Sequence, residues 1–419
     1  MRFLFVAESF HHNPSPNGNC VMKIAQCLIN RGHEVYVLAL ENQCVNTTEN
    51  IESIKVYRAK TYAEWKLMYT KSMPKIVVRI LQRIVRFSKR MLNPLHPFRS
   101  PGVLMSLYSN ARRIIIREHI DIVIGVHRDF ETALCGALLK REFPNITNHL
   151  YMLDALSGGV CSNNTISCET HKRKCEKWEV YFAKQYDYLC PMISHQHIFQ
   201  RADFERYKNK IHYFDIPNLN TAWLSNLGTK KQTSEEITFV YTGMMSELSG
   251  DCSFFLRLIP LLLKEKRMRF DIYGGVSESI NENLKETGLL DRAIFYHGRV
   301  SQDELIAVRK NADVFVNFGN EHECGIPCKI FEYMSTGKRI LSFKKIAGDA
   351  SEPYLIRYGN AMVLQEDATK VEVYARQILG FISESDDVQV TANDLMEKFR
   401  PNTPEYFADY LEDISCAEK

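Results

Sequence analysis

Apolar and polar positions alternate along this chain in blocks of two lengths. Short unbroken apolar runs at 2–7 (RFLFVA), 34–40 (EVYVLAL), 121–127 (DIVIGVH) and 149–154 (HLYMLD) read as strands buried on both faces. Between them, Val21, Ile24, Ala25, Leu28 and Ile29 fall on one side of a helix over 21–31, which Gly32 ends. Residues 131–140 read as a second helix, 157–177 as a polar loop, 178–186 as a helix and 187–191 as a strand. The apolar pattern breaks between 220 and 235, where Gly228, Lys230, Lys231, Thr233 and Ser234 cluster. Beyond it the alternation is cleaner. Strands at 237–242, 269–273, 294–297 and 314–318 are separated by helices at 252–264, 277–287 and 301–311, the last opened by a capping box of Ser301 and Glu304. The fold class is α/β, with two Rossmann-like domains over 1–225 and 226–400 and a closing helix in 401–419.

Two features of the second half point to chemistry. Gly243, Gly274 with Gly275, and Gly298 each follow a strand, so three strands deliver glycine to one carboxyl edge, where backbone can approach a ligand closely. Residues 325–341 read GIPCKIFEYMSTGKRIL. Pro327 suits the first turn of a helix, which leaves the amides of Cys328, Lys329 and Ile330 without intrahelical partners. Such an end is receptive to phosphate. Glu332 lies one turn further in, with Lys329 three residues before it; Gly337 stops the helix and a buried strand follows.

Composition narrows the class. A chain of 419 residues, 45% hydrophobic and 25% charged, is ordinary globular material, and a net charge of +3 is too small to argue for nucleic acid. No run approaches 18 apolar residues, and the opening MRFLFVAES is too short for a signal peptide, so a cytoplasmic protein with reduced thiols is expected for its 12 cysteines. Cys161, Cys168, His171 and Cys175 are zinc-type ligands at a spacing that matches no familiar zinc module; free thiols in a loop are the favoured reading. Charge clusters locally. Within 71–91, Lys75, Arg79, Arg83, Arg86 and Arg90 share a narrow helical arc opposite Ile76, Ile80, Ile84 and Phe87, and no acid occurs from Lys71 to Arg117. The pattern fits a solvated surface helix, or an interfacial helix lying among anionic headgroups.

The run PCKIFEYMSTGKRI resembles the P-[SC]-K-I-F-E-Y-M-x-T-G-K-P-I signature of GT-B glycosyltransferases, specifically the retaining family 4 of capsule, exopolysaccharide and O-antigen clusters. The opening strand–helix–strand unit, with NGN and RGHEVYVL inside it, resembles the first unit of the GT-B N-terminal domain. The resemblance implies two domains facing across a cleft, the first for the acceptor and the second for a nucleotide sugar, with the last helix crossing back. It implies that Glu332 holds the donor ribose and that the helix start at Cys328, Lys329 and Ile330 receives the diphosphate, alongside Gly18 in a cleft-facing loop, Gly243, Gly274 and Arg299. His127, at the end of its strand, would contact the transferred sugar or the acceptor. No metal or other cofactor is implied. Enzymes of this type with lipid-linked acceptors carry a basic amphipathic helix in the first domain, which implies a peripheral protein at the inner face of the plasma membrane.

Two departures stand out. The family's E-x7-E pattern places Cys324 eight residues before Glu332 and Glu323 nine before, so Glu323 is carried over as the second catalytic candidate, with Glu321 as its substitute. The base expected after Gly243 is replaced by MMSELSGD, which leaves Lys329, Arg299, Lys344 and Lys345 to meet the diphosphate charge. Three functions remain open: a glycosyltransferase acting on a lipid-linked saccharide, a nucleotide-sugar epimerase, and a non-catalytic partner subunit.

Overall fold

The computed structural model describes residues 1–11, 15–40, 47–60, 73–74, 76–80, 83, 91, 93–158, 166–227, 236–247, 250–321, 325–383 and 390–417. The chain divides into two compact units, Met1–Pro217 with Pro404–Lys419, and Asn218–Thr403.

Unit 1 is built on a seven-stranded sheet. Its strands are β1 (Arg2–Ala7), β2 (Glu34–Leu40), β3 (Thr48–Ile51), β4 (Ile54–Ala59), β5 (Ile122–His127), β6 (Thr147–Met152) and β7 (Tyr188–Pro191). They lie in the order β3-β4-β2-β1-β5-β6-β7, all parallel except the β3–β4 hairpin. Four of the strands match the apolar runs closely. The hairpin was not legible, because TENI and IKVYRA mix polar with apolar residues at a sheet edge. Apolar side chains fill both faces of the sheet, as helix-covered parallel strands require.

The helices of unit 1 correct two expectations. Helix α1 runs over Pro16–Asn30, with Ser15 as its N-cap, five residues earlier than expected. Gly18 therefore stands in a helical first turn rather than a loop, and its amide donates to Ser15 Oγ at 3.3 Å. Helix α2 spans Pro101–Glu118 and helix α3 spans Phe130–Glu142. Helix α4 spans Cys168–Gln185, so Cys168, His171 and Cys175 lie on a helix and not in a loop; Ser167 caps it by accepting from Thr170 N. Cys161 lies outside the described residues, as do Lys75, Ile84, Arg86, Phe87 and Arg90 of the basic stretch. Residues 76–80 are helical, with Ile76 at 69% and Ile80 at 53% exposure, so those apolar side chains do not pack into unit 1.

Unit 2 has a six-stranded parallel sheet in the order β10-β9-β8-β11-β12-β13. The strands are β8 (Ile237–Thr242), β9 (Met268–Tyr273), β10 (Ile294–Gly298), β11 (Val314–Phe318), β12 (Arg339–Lys344) and β13 (Ala361–Gln365). Helices α5 (Ser253–Glu265), α6 (Glu278–Glu286) and α7 (Gln302–Asn311) connect them as the alternation predicts, and the Ser301–Glu304 capping box is formed. Helix α8 is short, Lys329–Met334, followed by Gly337 at φ +72°. Helix α9 (Glu352–Tyr358), helix α10 (Val371–Ser383) and helix α11 (Ala392–Phe399) complete the unit.

The closing helix α12, Pro404–Ala417, belongs to unit 1. Its fully buried Leu411 and nearly buried Phe407 provide the apolar side of that contact. Phe407 packs on Tyr151 and Phe214 at centroid distances of 4.8 and 4.7 Å. Arg31, the C-cap of α1, adds ion pairs to Asp409 at 2.7 Å and Glu412 at 2.6 Å. All three charged side chains are partly exposed, so the aromatic packing contributes more than the charges.

Candidate functional site

In an open parallel sheet, ligands settle outside the carboxyl ends of the strands, where the strand order reverses. In unit 2 that reversal falls between β8 and β11. Gly243 ends β8 at φ +126° and Gly274 ends β9 at φ +133°, conformations that side chains with a Cβ rarely adopt. Gly243 N donates to Tyr273 O at 2.8 Å, and Gly274 N donates to Gly298 O at 2.7 Å. The three glycines thus form a continuous bare strip across adjacent strand ends. A Cβ on Gly274 would meet Gly243 O at 2.0 Å, so the strip tolerates no side chain there.

An ammonium reaches this strip from the other side of the reversal. Lys329, the first residue of α8, points its ammonium at Tyr241 of β8, donating to the hydroxyl at 2.5 Å with the nitrogen 3.7 Å from the ring centroid. The same nitrogen lies 3.6 Å from where a Cβ of Gly243 would stand. Helix α8 is held in this place by Tyr333, whose hydroxyl accepts from Thr242 N at 3.0 Å, and by Asn218, which donates to Cys328 O at 2.8 Å. Burial lowers the Lys329 pKa from 10.5 to about 7.

The other cations are placed less favourably. Lys344 is bound to Glu352 at 2.6 Å, and Lys345 to Asp251 at 3.1 Å and Glu321 at 3.2 Å. Arg299 is exposed, one residue beyond Gly298. The acids of MMSELSGD also have structural tasks: Asp251 accepts from Ser253 N at 2.9 Å, and Glu247 from Ser277 Oγ at 3.1 Å.

At the helix start one expectation fails. Ile330 N donates to Pro327 O at 3.1 Å, so its amide is not available to a phosphate. The turn tightens there because α8 is only six residues long. Glu332 accepts from Arg309 Nη2 at 3.2 Å, and the buried Arg309 guanidinium stacks on Trp223 at 4.1 Å. Arg309 was missed, since an Arg in the last turn of a helix ordinarily complements its dipole. Glu323 lies outside the described residues; Glu321 is exposed and paired with Lys345.

Unit 1 repeats the reversal, between β1 and β5. His127 ends β5 and is buried. Its Nδ1 lies 2.9 Å from the carbonyl oxygen of Asp154. A carbonyl only accepts, so Nδ1 carries the proton and Nε2 is left as an acceptor. Burial lowers the pKa of His127, which keeps the imidazole neutral. Asn17 Nδ2 donates to His127 O at 3.0 Å, which brings the first turn of α1, with Gly18, to the same edge as His127. A second buried imidazole, His195, feels both Asp154 and His127 and was not singled out from the sequence, where it lies outside any strand.

Comparison with known proteins bears on these two edges. Residues 236–384 match the family described as Glycosyl transferases group 1. No curated protein matches the chain. Among solved structures, the chain is similar to a sucrose-phosphate synthase from Thermosynechococcus elongatus at 10% identity and TM-score 0.63, covering 99% of this chain and 98% of that one. It is similar to HepE of Anabaena, solved with UDP and glucose, at 13% identity and TM-score 0.57 over 100% of both chains. It also resembles a candidate UDP-N-acetylglucosamine 2-epimerase from Listeria monocytogenes at 10% identity and TM-score 0.56, covering 100% of this chain and 96% of that one. At such identities the likeness establishes the fold, which is that of GT-B glycosyltransferases, and unit 2 carries the glycosyltransferase group 1 domain.

Proposed function

We propose that the protein is a retaining glycosyltransferase that takes a hexose-type sugar from a nucleoside diphosphate sugar and passes it to a hydroxyl of a lipid-linked saccharide in surface polysaccharide biosynthesis. The observation that carries this reading is Lys329 standing over Gly243 at the strand reversal of unit 2, inside the segment that matches the glycosyltransferase family. A bare glycine strip admits a diphosphate against the backbone, and the single ammonium meets the charge that develops as the sugar leaves. Glu332, oriented by Arg309, is the hydrogen-bond acceptor for ribose hydroxyls. HepE, solved with UDP, supports a nucleotide of this class as the ligand. With a lysine in this position the donor chemistry needs no metal ion. The neutral His127, presenting Nε2, is proposed to accept a hydrogen bond from a hydroxyl of the transferred sugar or the acceptor.

Calorimetry with UDP, GDP and ADP tests the donor site; failure to bind any of the three would reject it. Incubation with nucleotide sugar alone separates transfer from epimerisation, because epimer formed without acceptor would rule out transfer as the main activity.

The acceptor reading rests on the basic stretch and on the exposed Ile76 and Ile80. No helix among the described residues is long and apolar enough to cross a membrane. From the basic stretch we place the protein at the cytoplasmic face as a peripheral one. Each basic side chain near an anionic leaflet contributes about 1 kcal/mol, screened by salt. The protein should sediment with anionic vesicles at low salt and be released by the triple change Arg79→Gln, Arg83→Gln, Arg86→Gln. Protein that ignores such vesicles with the stretch intact would remove the case for a membrane acceptor.

A further inference from the structure

Helix α4 carries His171 and Cys175 four residues apart, a spacing that stacks two side chains on one helix face. Lys174 and Trp178 flank them on the same side, and both grip a single segment. Lys174 Nζ donates to Asn93 O at 2.7 Å and Pro94 O at 2.9 Å, and Trp178 Nε1 donates to His96 O at 3.2 Å. These bonds hold His96, 75 residues earlier in the chain, against the helix. His96 Nε2 lies 2.7 Å from His171 Nδ1, and Cys175 Sγ lies 3.8 Å from that same Nδ1. One nitrogen from each imidazole and the thiol sulfur all fall within 4.8 Å of one another, with His96 and Cys175 buried.

We propose that His96, His171 and Cys175 bind a zinc ion, which ties the segment around His96 to α4 within unit 1. Two imidazoles and one thiol with no carboxylate form a donor set that suits zinc and not magnesium or calcium. Ligand atoms around tetrahedral zinc stand roughly 3.3–3.8 Å apart, so the imidazole pair has to open by about 0.7 Å to admit the ion. The fourth position falls to water or to Cys168, which lies one turn earlier on the same stripe of the helix. On binding, the Cys175 thiol gives up its proton to solvent and its sulfur forms the bond to zinc, while both imidazoles donate lone pairs. The competing account is a hydrogen-bonded imidazole pair beside a buried thiol, and that account requires no metal.

Cobalt decides between them. Chelator-treated, reduced full-length protein is titrated with Co²⁺ alone and then with Zn²⁺. The wild type should develop thiolate-to-cobalt charge-transfer and tetrahedral d–d absorption that saturates at one equivalent and is displaced by zinc. Cys175→Ser and His171→Asn should each lose at least about 90% of that absorption while keeping the wild-type far-ultraviolet circular dichroism. Should the buried Cys175→Ser change prevent folding, the half-buried His171→Asn variant gives the answer by itself. No cobalt spectrum in the wild type, or equal spectra in the wild type and the folded variants, would overturn the site.

Discussion

The two units present the same device with opposite chemistry at its edge. Each sheet reverses its strand order beside its first strand, between β1 and β5 in unit 1 and between β8 and β11 in unit 2. In unit 2 the edge is stripped to backbone by Gly243, Gly274 and Gly298, and one ammonium is laid over it. In unit 1 the edge is filled by the side chain of His127, held neutral by burial and oriented by a backbone carbonyl. One topology therefore carries bare backbone with an ammonium over it in one unit and a neutral, hydrogen-bond-accepting imidazole in the other. What the fold fixes is the location; the residue at the strand end fixes the chemistry.

The comparison breaks first if unit 1 takes no part in the reaction. Replacing His127 with Ala should lower sugar transfer by about 10² or more while leaving nucleoside diphosphate affinity within twofold, as expected for loss of one positioned polar group. A folded variant with full turnover would return His127 to a structural role. In unit 2, Lys329→Met should weaken UDP or GDP binding by about 10–100-fold, since a charge-assisted hydrogen bond contributes roughly 1.5–3 kcal/mol. The matching nucleoside, which lacks phosphate, should bind the variant as it binds the wild type. Equal losses for both ligands would show that Lys329 supports the fold and not the phosphates. Glu332→Gln should cost about tenfold in nucleotide affinity at an unchanged melting temperature, and unchanged affinity would detach Glu332 from the ribose.

The unevenness of what the sequence discloses has physical causes. The strands of unit 2 other than β13, and the three glycines, were legible because buried parallel strands are apolar runs and three glycines at successive strand ends say more than one. The edge hairpin β3–β4 was not, since β3 is largely exposed and the buried β4 carries Lys55 and Arg58 within its run. The first part of helix α4 was read as a loop, and its helix begun only at Trp178, because its first two turns, CETHKRKC, are polar and carry only the buried Cys175 inward. Lys329 was one of four candidate cations, and nothing in its neighbours along the chain separates it from Lys344. Only the fold shows that Lys344 is already neutralised by Glu352 while Lys329 faces a glycine 86 positions earlier. Arg309 as the partner of Glu332, 23 residues apart, was hidden for the same reason.

The pH dependence of binding bears most directly on the cation of unit 2. Burial holds the Lys329 pKa near 7, so at that pH about half of the unliganded protein carries the ammonium. The folded value lies below the ordinary 10.5, so the unfolded chain binds more protons between these limits. Lys329 therefore weakens the unliganded fold below about pH 7, and its contribution to stability rises with pH until about 10.5. Binding has the opposite sign. A diphosphate selects the charged form, so its affinity should fall as pH rises above 7, by up to about tenfold per unit. The window of pH 7 to 8.5 lies above the second phosphate pKa of about 6, so the nucleotide's own titration is largely complete. Calorimetry in two buffers of different ionisation enthalpy should show uptake of about half a proton at pH 7. Lys329→Arg, whose guanidinium stays charged, should bind without this slope. A slope that persists in Lys329→Arg would assign the titration to another group and take from Lys329 its place beneath the phosphates.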